Sequence, residues 1–303
     1  MGDLQKMARR FATLDVFTDT ILAGNPLAVV LDCEGLDGAA MQAIAGEFNL
    51  SETVFVLPPD DPRHRARLRI FTPRAELPFA GHPTLGAAIL LALRDARAGL
   101  TDAVAFGLEA GVGTLSGVVE PGDGRGQARF RMPVLPEFSG DGPAPEALAG
   151  ALGLAPGAIG FGRHVPSRHS LGPRFLFVPV ASPEALADAA LDPAAFAGLG
   201  APAALYLYTP DPDGARHFHA RMFAPHLGVP EDPATGSAAA AFAGVMMQFE
   251  PLGDGTHDLV LHQGAAMGRP SEIRVQLGIA AGTLRAIEIG GAAVLVSEGR
   301  LHV

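Results

Sequence analysis

Along this 303-residue chain the spacing of apolar and polar positions changes several times, and each change marks an element. Apolar runs at 11–17 and 27–31, rich in aromatic and β-branched residues and joined by the turn Gly24-Asn25-Pro26, predict two strands. Leu36, Met41, Ile44, Ala45 and Phe48 fall on one stripe, which predicts a helix over 37–48. Strands are expected at 53–57 and 65–71, a helix opening near Pro83, and strands again at 104–119 and 127–132. Residues 174–180, after Gly172-Pro173, read as a strand and 183–191 as a helix. Then come strands at 204–208 and 217–223 and a long Ala-rich helix at 234–249. Strands at 258–262, 273–277, 282–289 and 293–298 finish the pattern. The stretch 136–156 is rich in Gly, Pro and Ala and carries one short helix at its end. Only the first few residues read as disordered.

The two halves repeat this order, and part of the wording repeats with it. RHRARLRIFTP at 63–73 leads through a loop into AGHPTLGAAILLAL at 80–93. ARHFHARMFAP at 215–225 leads into EDPATGSAAAAFAG at 231–244. With the loop shortened by two residues, His82 falls on Asp232, Pro83 on Pro233, Gly86 on Gly236 and Ala87 on Ser237. A period this long is a duplicated lobe rather than a solenoid. The lobes are expected at 1–135 and 136–303, with the last strand free to pack back on the first, and a cleft between them is the natural ligand site.

Composition narrows the functional classes. A net charge of −10 argues against nucleic acid or an anionic membrane as partner, because neither gains from an acidic surface, but it leaves room for a small acidic substrate held by a local positive potential. The single cysteine, Cys33, rules out an intramolecular disulfide framework and suits a reducing compartment. No apolar run reaches the roughly 18–20 residues of a membrane span, and the N-terminal MGDLQKMARRF lacks an apolar signal core. A soluble, cytoplasmic protein is expected.

The candidate chemistry sits at the two helix starts. Gly81-His82-Pro83-Thr84 and Asp232-Pro233-Ala234-Thr235-Gly236-Ser237 place Pro and small residues where unsatisfied backbone N–H groups point outward. Such an end attracts a carboxylate or phosphate, an effect worth ~0.3–1 kcal/mol when partly exposed. Simple helix capping by Asp232 and Thr84 explains one such loop; a matching pair at symmetric positions asks for more. Glu52 is not duplicated. It stands at the mouth of the apolar strand Val54-Phe55-Val56-Leu57, and its counterpart region is Ala203-Ala204-Leu205. Beside Val54 and Phe55 its pKa is expected to rise, as suits a group that holds and releases a proton near neutrality. A surface Glu at a strand end is the plainer reading.

These residues carry a family resemblance. GNPLAVVLD from Gly24, NLSETVFVL from Asn49, RIFTPRAELPFAGHPTLG from Arg69, RMFAPHLGVPEDPATGSAA from Arg221, QGAAMGRPS from Gln263 and the closing EGRL resemble, in order and spacing, the PhzF family of phenazine biosynthesis isomerases. The resemblance implies an α+β fold of the diaminopimelate epimerase-like kind: two similar pseudo-symmetric lobes, each a β-barrel-like sheet wrapped around a central helix, in a homodimer. It implies proton transfer with no cofactor and no metal on a small cyclic or amino-acid-like carboxylate, such as a dihydro-hydroxyanthranilate. Carried over by position, Glu52 is the acid/base, His82 and Asp232 are polar partners of the substrate, and Gly236 and Ser237 receive its carboxylate. Asn25 and Gly81 line the site, Gly81 letting a ligand approach the backbone. Related racemases use two cysteines at the helix starts; with Cys33 alone, a two-thiol mechanism is excluded.

Other constellations are weaker. His217 and His219, two apart on a strand, with His226 nearby, suggest a metal site, but no neighbouring Cys or carboxylate completes a set in sequence and a half-buried pair explains them. Arg269 in Gly268-Arg269-Pro270-Ser271 and Glu76 beside Arg74 have plain turn and ion-pair readings. Gly122-Asp123-Gly124-Arg125-Gly126 precedes a strand, so it is a hairpin tip rather than a phosphate loop. Two functions stay open: an isomerase using Glu52, or a catalytically idle relative that binds a metabolite or partner.

Overall fold

The computed structural model describes residues 8–200 and 203–303. The expectations for residues 1–7, no apolar signal core and a loose start, lie outside the described residues. The chain divides into two compact units, residues 8–130 with 290–303 and residues 131–289.

The first unit holds β1 (Ala8–Val16), β2 (Asn25–Val30), α1 (Gly38–Phe48), β3 (Glu52–Leu57), β4 (Ala66–Phe71), β5 (Glu76–Leu77), α2 (Gly81–Arg97), β6 (Val104–Ala110), β7 (Gly113–Pro121) and β8 (Arg125–Arg131). The second holds β9 (Glu137–Asp141), α3 (Pro145–Ala151), β10 (Ser167–Ser170), β11 (Arg174–Pro179), α4 (Pro183–Asp188), α5 (Pro193–Ala197), β12 (Ala204–Pro210), β13 (His217–Ala224), β14 (Val229–Asp232), α6 (Gly236–Phe249), β15 (Gly255–Gln263) and β16 (Ser271–Ala280). The last strand, β17 (Thr283–His302), begins in the residue range of the second unit and ends in that of the first.

In the first unit the pairings run β1–β2–β3–β4–β6–β7–β8–β17 and return to β1, an eight-stranded closed barrel. Closure removes every free edge from the ring. Helix α2 runs against β1, β2, β3, β6 and β7, and residues 82–93 are buried without a break. A helix apolar on all sides belongs in a core. At Gly86 the helix lies close to the sheet: a Cβ there would meet Leu27 Cδ2 at 2.5 Å and Val16 Cγ2 at 2.8 Å. Arg94 and Arg97 stand in its last turn, where cations suit the helix dipole. Outside the ring, α1 starts on Asp37, whose carboxylate accepts from the Ala40 N–H, and stops at Asn49 in the left-handed region. Its Met41, Ile44 and Ala45 pack on Val30, Cys33, Phe55 and Phe71. Burying Met41 or Ile44 is worth roughly 1.5–3 kcal/mol each.

The second unit repeats the plan. β10–β11 is antiparallel, β11–β12 parallel, β12–β13 and β13–β14 antiparallel, β13–β15 parallel and β15–β16 antiparallel. The same order of directions links β1, β2, β3, β4, β5, β6 and β7. Helix α6 takes the place of α2, packing on β9, β10, β11 and β16. Ala238, Ala239, Ala240 and Ala241 let it lie close to the sheet, while Phe242 meets Tyr208 edge-on at 4.9 Å and Phe218 at 5.0 Å between ring centres. Helices α3, α4 and α5 cover the outer face of β11 and β12 through Leu148, Leu152, Leu186 and Phe196.

Most predicted elements lie where the pattern put them, with three differences. The apolar run 104–119 is a hairpin, β6 and β7, turning at residues 111–112. The strands expected at 282–289 and 293–298 are one strand, because Gly290-Gly291 does not break the extension; at Gly290 the β8 carbonyl of Ala128 comes to 3.1 Å of where a Cβ would stand. Strands β5, β9, β10 and β14 and helix α5 had no prediction: none is longer than five residues. No helix among the described residues is long and apolar enough to cross a membrane.

Candidate active site

In the first unit, the start of β3 meets the start of α2. Glu52 opens β3 beside Leu27 of the parallel β2. Fully buried Asn25 opens β2 after Gly24, whose positive φ and tight contact with the Val16 carbonyl leave no room for a side chain. His82, in the first turn of α2, is 5 % exposed, and its Nε2 stands 3.5 Å from Glu52 Oε2. Burial pulls the imidazole down to about 3, so it is neutral at pH 7 and this contact is not an ion pair. The α2 start has no side-chain cap: Ala80 is the N-cap and Thr84 Oγ1 donates back to its carbonyl at 2.9 Å. The free N–H groups of that first turn are therefore left for solvent or a ligand. Glu76 does not pair with Arg74; it takes two hydrogen bonds from Arg69 at 2.7 Å.

In the second unit Asp232 ends β14 and is 8 % exposed. Thr235 Oγ1 donates to its Oδ2 at 2.5 Å. Gln263, the last residue of β15, fixes the segment from the other side, its Nε2 donating to the Asp232 carbonyl at 2.7 Å and to Thr235 Oγ1 at 3.1 Å. Helix α6 then opens at Gly236-Ser237 with no side-chain cap hydrogen bond from Thr235. Gly264 packs its backbone on Pro233: a Cβ would meet the Pro233 carbonyl at 2.6 Å and that of Arg269 at 2.3 Å. The Arg269 main chain takes part in the turn, its N–H donating to the Gly264 carbonyl at 3.0 Å. Tyr206 lies on the same face as Met222 and Asp232, by the pairings Tyr206↔Met222 and Met222↔Asp232. Its hydroxyl is pushed above the usual range by burial and by the charge on Asp232.

Strand register corrects the alignment of the two halves. Thr53 pairs with Phe71 and Ile70 with Leu77; Leu205 pairs with Phe223 and Met222 with Asp232. Counting from those pairs, Leu77-Pro78 corresponds to Asp232-Pro233 and Gly81-His82 to Gly236-Ser237. The loop is longer in the second half, not shorter, because a turn at Pro225–Leu227 is inserted. His82 and Asp232 are therefore not counterparts: His82 is on the helix and Asp232 on the strand before it. Matching Pro83 with Pro233 instead of Pro78 produced the error. Glu52 corresponds to Ala204, so its lack of a partner in the repeat stands.

Gln263, Thr235 and Tyr206 were missed as site residues. The first two lie in motifs that stood out in sequence, but their hydrogen bonds join segments 28 and 31 residues apart. Sequence gives no sign of such a bond. His226 lies in the inserted turn, apart from His217 and His219, whose neighbours are described below.

Two barrel-like units, each wrapped on a buried helix with an uncapped start, define an epimerase-like α+β protein of the diaminopimelate epimerase-like fold. The chain belongs to the PhzC-PhzF family of phenazine biosynthesis-like proteins, whose model matches residues 14–299, and it is an isomerase of the PhzF type. It is 49 % identical over 304 residues to an uncharacterised isomerase of Mesorhizobium japonicum, across 97 % of this chain and 99 % of the relative. It is 38 % identical over 306 residues to the trans-2,3-dihydro-3-hydroxyanthranilate isomerase of Pseudomonas aeruginosa, across 97 % and 99 %. Among solved structures it is similar to the Bacillus anthracis PhzF-family phenazine biosynthesis protein, with TM-score 0.86, 25 % identity and coverage of 98 % and 100 %.

Proposed function

We propose that the protein moves a proton between carbons of a small cyclic carboxylate of the trans-2,3-dihydro-3-hydroxyanthranilate kind, with Glu52 as acid and base. The observation that carries this reading is the Glu52 carboxylate at the head of β3, 3.5 Å from an imidazole that burial keeps neutral. As a carboxylate, Glu52 removes a proton from a ring carbon. The electron pair left behind shifts through the adjacent double bond, and the protonated Glu52 returns the proton to another ring carbon. Atoms and electrons balance with no oxidant, metal or second substrate. Neutral His82 offers a hydrogen bond without adding a positive charge that would hold Glu52 as the carboxylate and keep it from taking up the proton. Asp232 binds the polar groups of the substrate, and the N–H groups at Gly236 and Ser237 receive its carboxylate. Gly81 lines the surface beside Glu52, and the buried Asn25 supports the site from the head of β2. We assign the active form to a homodimer, which light scattering on the purified chain checks.

The test is to incubate the chain with trans-2,3-dihydro-3-hydroxyanthranilate in D₂O and follow the ring by NMR. Isomerisation with deuterium entering at the carbon that accepts the proton supports the reading. Tight binding without conversion or exchange rejects it in favour of a metabolite-binding protein.

A further inference from the structure

Away from the residues assigned to proton transfer, the second unit gathers histidines from two strands around one carboxylate. Strand β13 carries His217 and His219 on one face, and β15 lies parallel to it with His219 opposite His262. Strand β12 ends at Pro210, and the following turn carries Asp211, whose N–H bonds the His217 carbonyl at 2.8 Å. The turn is held by Asp213, whose N–H donates to Asp211 Oδ1 at 2.9 Å. Gly214 lies so close under His217 that a Cβ would meet its ring at 2.7 Å, which fixes the imidazole over the turn. As a result, one ligand atom each from Asp211, His217 and His262 lie within 4.8 Å of one another. His219 Nε2 is 3.3 Å from the second Asp211 oxygen, and its ring centre is 5.5 Å from that of His262.

We propose that Asp211, His217 and His262 form a binding site for one divalent transition-metal ion, zinc by its donor set, with His219 orienting the carboxylate. Two imidazoles and one carboxylate are the borderline nitrogen and oxygen donors that zinc takes at about 2.0–2.2 Å, leaving a fourth position for water. Tetrahedral ligands at that distance stand about 3.3 Å apart, so the three groups need to close by up to about 1.5 Å, within reach of side-chain rotation. All three are half-buried, which shelters a bound ion while keeping it accessible. Glu272, paired with His262 on β16, and the net charge of −10 both favour a cation here. The carboxylate that sequence spacing did not supply comes from the turn before β13, and the third ligand from a strand 45 positions on. Bound there, the ion ties the β12–β13 turn to β15 one residue before Gln263. This site does not depend on the proposed proton transfer.

The experiment uses tag-free full-length protein, stripped with a chelator, dialysed against zinc and assayed for bound metal by elemental analysis and titration calorimetry. One zinc per chain is expected, with a rise in melting temperature. Asp211→Asn and His262→Ala should each weaken zinc binding at least tenfold, while His226→Ala and His257→Ala leave it unchanged. Cobalt in place of zinc should give the intense visible bands of a four-coordinate ion in the unaltered chain and lose them in His262→Gln. Circular dichroism identifies any variant that fails to fold, and the cobalt spectrum of the unaltered chain tests the proposal by itself. No retained metal, or equal retention by the Asp211 and His262 variants, overturns it.

Discussion

His82 Nε2 and Glu52 Oε2 stand 3.5 Å apart, and the imidazole is neutral because it is buried. A neutral partner leaves Glu52 able to take and return a proton. Glu52→Gln keeps the shape and hydrogen-bonding reach of the side chain but cannot exchange a proton on this cycle. We expect substrate binding within a few-fold of the unaltered chain and turnover lower by ~10²–10⁴. Calorimetry and NMR-detected exchange in D₂O separate the two, and a fully active Glu52→Gln protein removes Glu52 from the mechanism.

The same burial makes the fold acid-sensitive. The folded His82 value of about 3 lies below the ordinary 6.5, so below pH 6.5 the unfolded chain takes up a proton that the folded chain refuses. Its contribution to stability is full above pH 6.5 and is lost as pH falls toward 3. At pH 5 the expected loss from this residue is on the order of 1–2 kcal/mol. His164 and His169, lowered mainly by burial, act in the same direction. Urea unfolding at pH 7.5 and 5 measures the drop, and His82→Gln should make it smaller. Equal stability at both pH values would contradict the buried neutral state.

At Gly264 the backbone has φ +81, and a Cβ would overlap the carbonyl oxygens of Pro233 and Arg269. Gly264→Ala is therefore expected to cost roughly 2–3 kcal/mol and to shift the Asp232-Pro233 segment that leads into α6. A lower melting temperature and raised amide exchange at residues 232–237 are the readouts. A variant as stable as the unaltered chain would show that the close approach is easily relieved.

Gln263→Leu keeps the bulk of the side chain and removes both donors and the acceptor. It leaves the Asp232 carbonyl and the Thr235 N–H without that partner, at a cost of about 1–3 kcal/mol per buried group left unmade. If Asp232 positions substrate, KM should rise together with a fall in kcat, since positioning acts in both ground and transition states. Unchanged kinetics in a destabilised but folded variant would confine Gln263 to a structural part.

The fold was largely legible because its elements are strongly patterned. The stripe ending at Phe48, the alternation in 217–223 and the Ala run of α6 each read as the element they form. The duplication was visible too, but its gap was misplaced: the inserted turn at Pro225–Leu227 has no counterpart, and only backbone pairing at Ile70↔Leu77 and Met222↔Asp232 sets the true match. Glu52 stood out because its apolar neighbours and missing twin are sequence facts. The hydrogen bonds of Gln263, and the approach of Asp211 and His262 to His217, depend on which strands become neighbours, and spacing along the chain carries none of that.

Barrel closure in the first unit has a bearing on biogenesis. Its ring is shut by residues 290–303, which join β1 to β8, yet on the ribosome these are made after the whole second unit. At 5–20 residues per second, β8 waits roughly ten to thirty seconds with an open edge, and β1, made first, waits longer. During that interval the nascent chain offers two unpaired strand borders to any other extended segment. A shortened transcript that stops after the second unit would leave those borders permanently uncovered, so truncation near residue 289 should yield an aggregating product rather than two half-proteins.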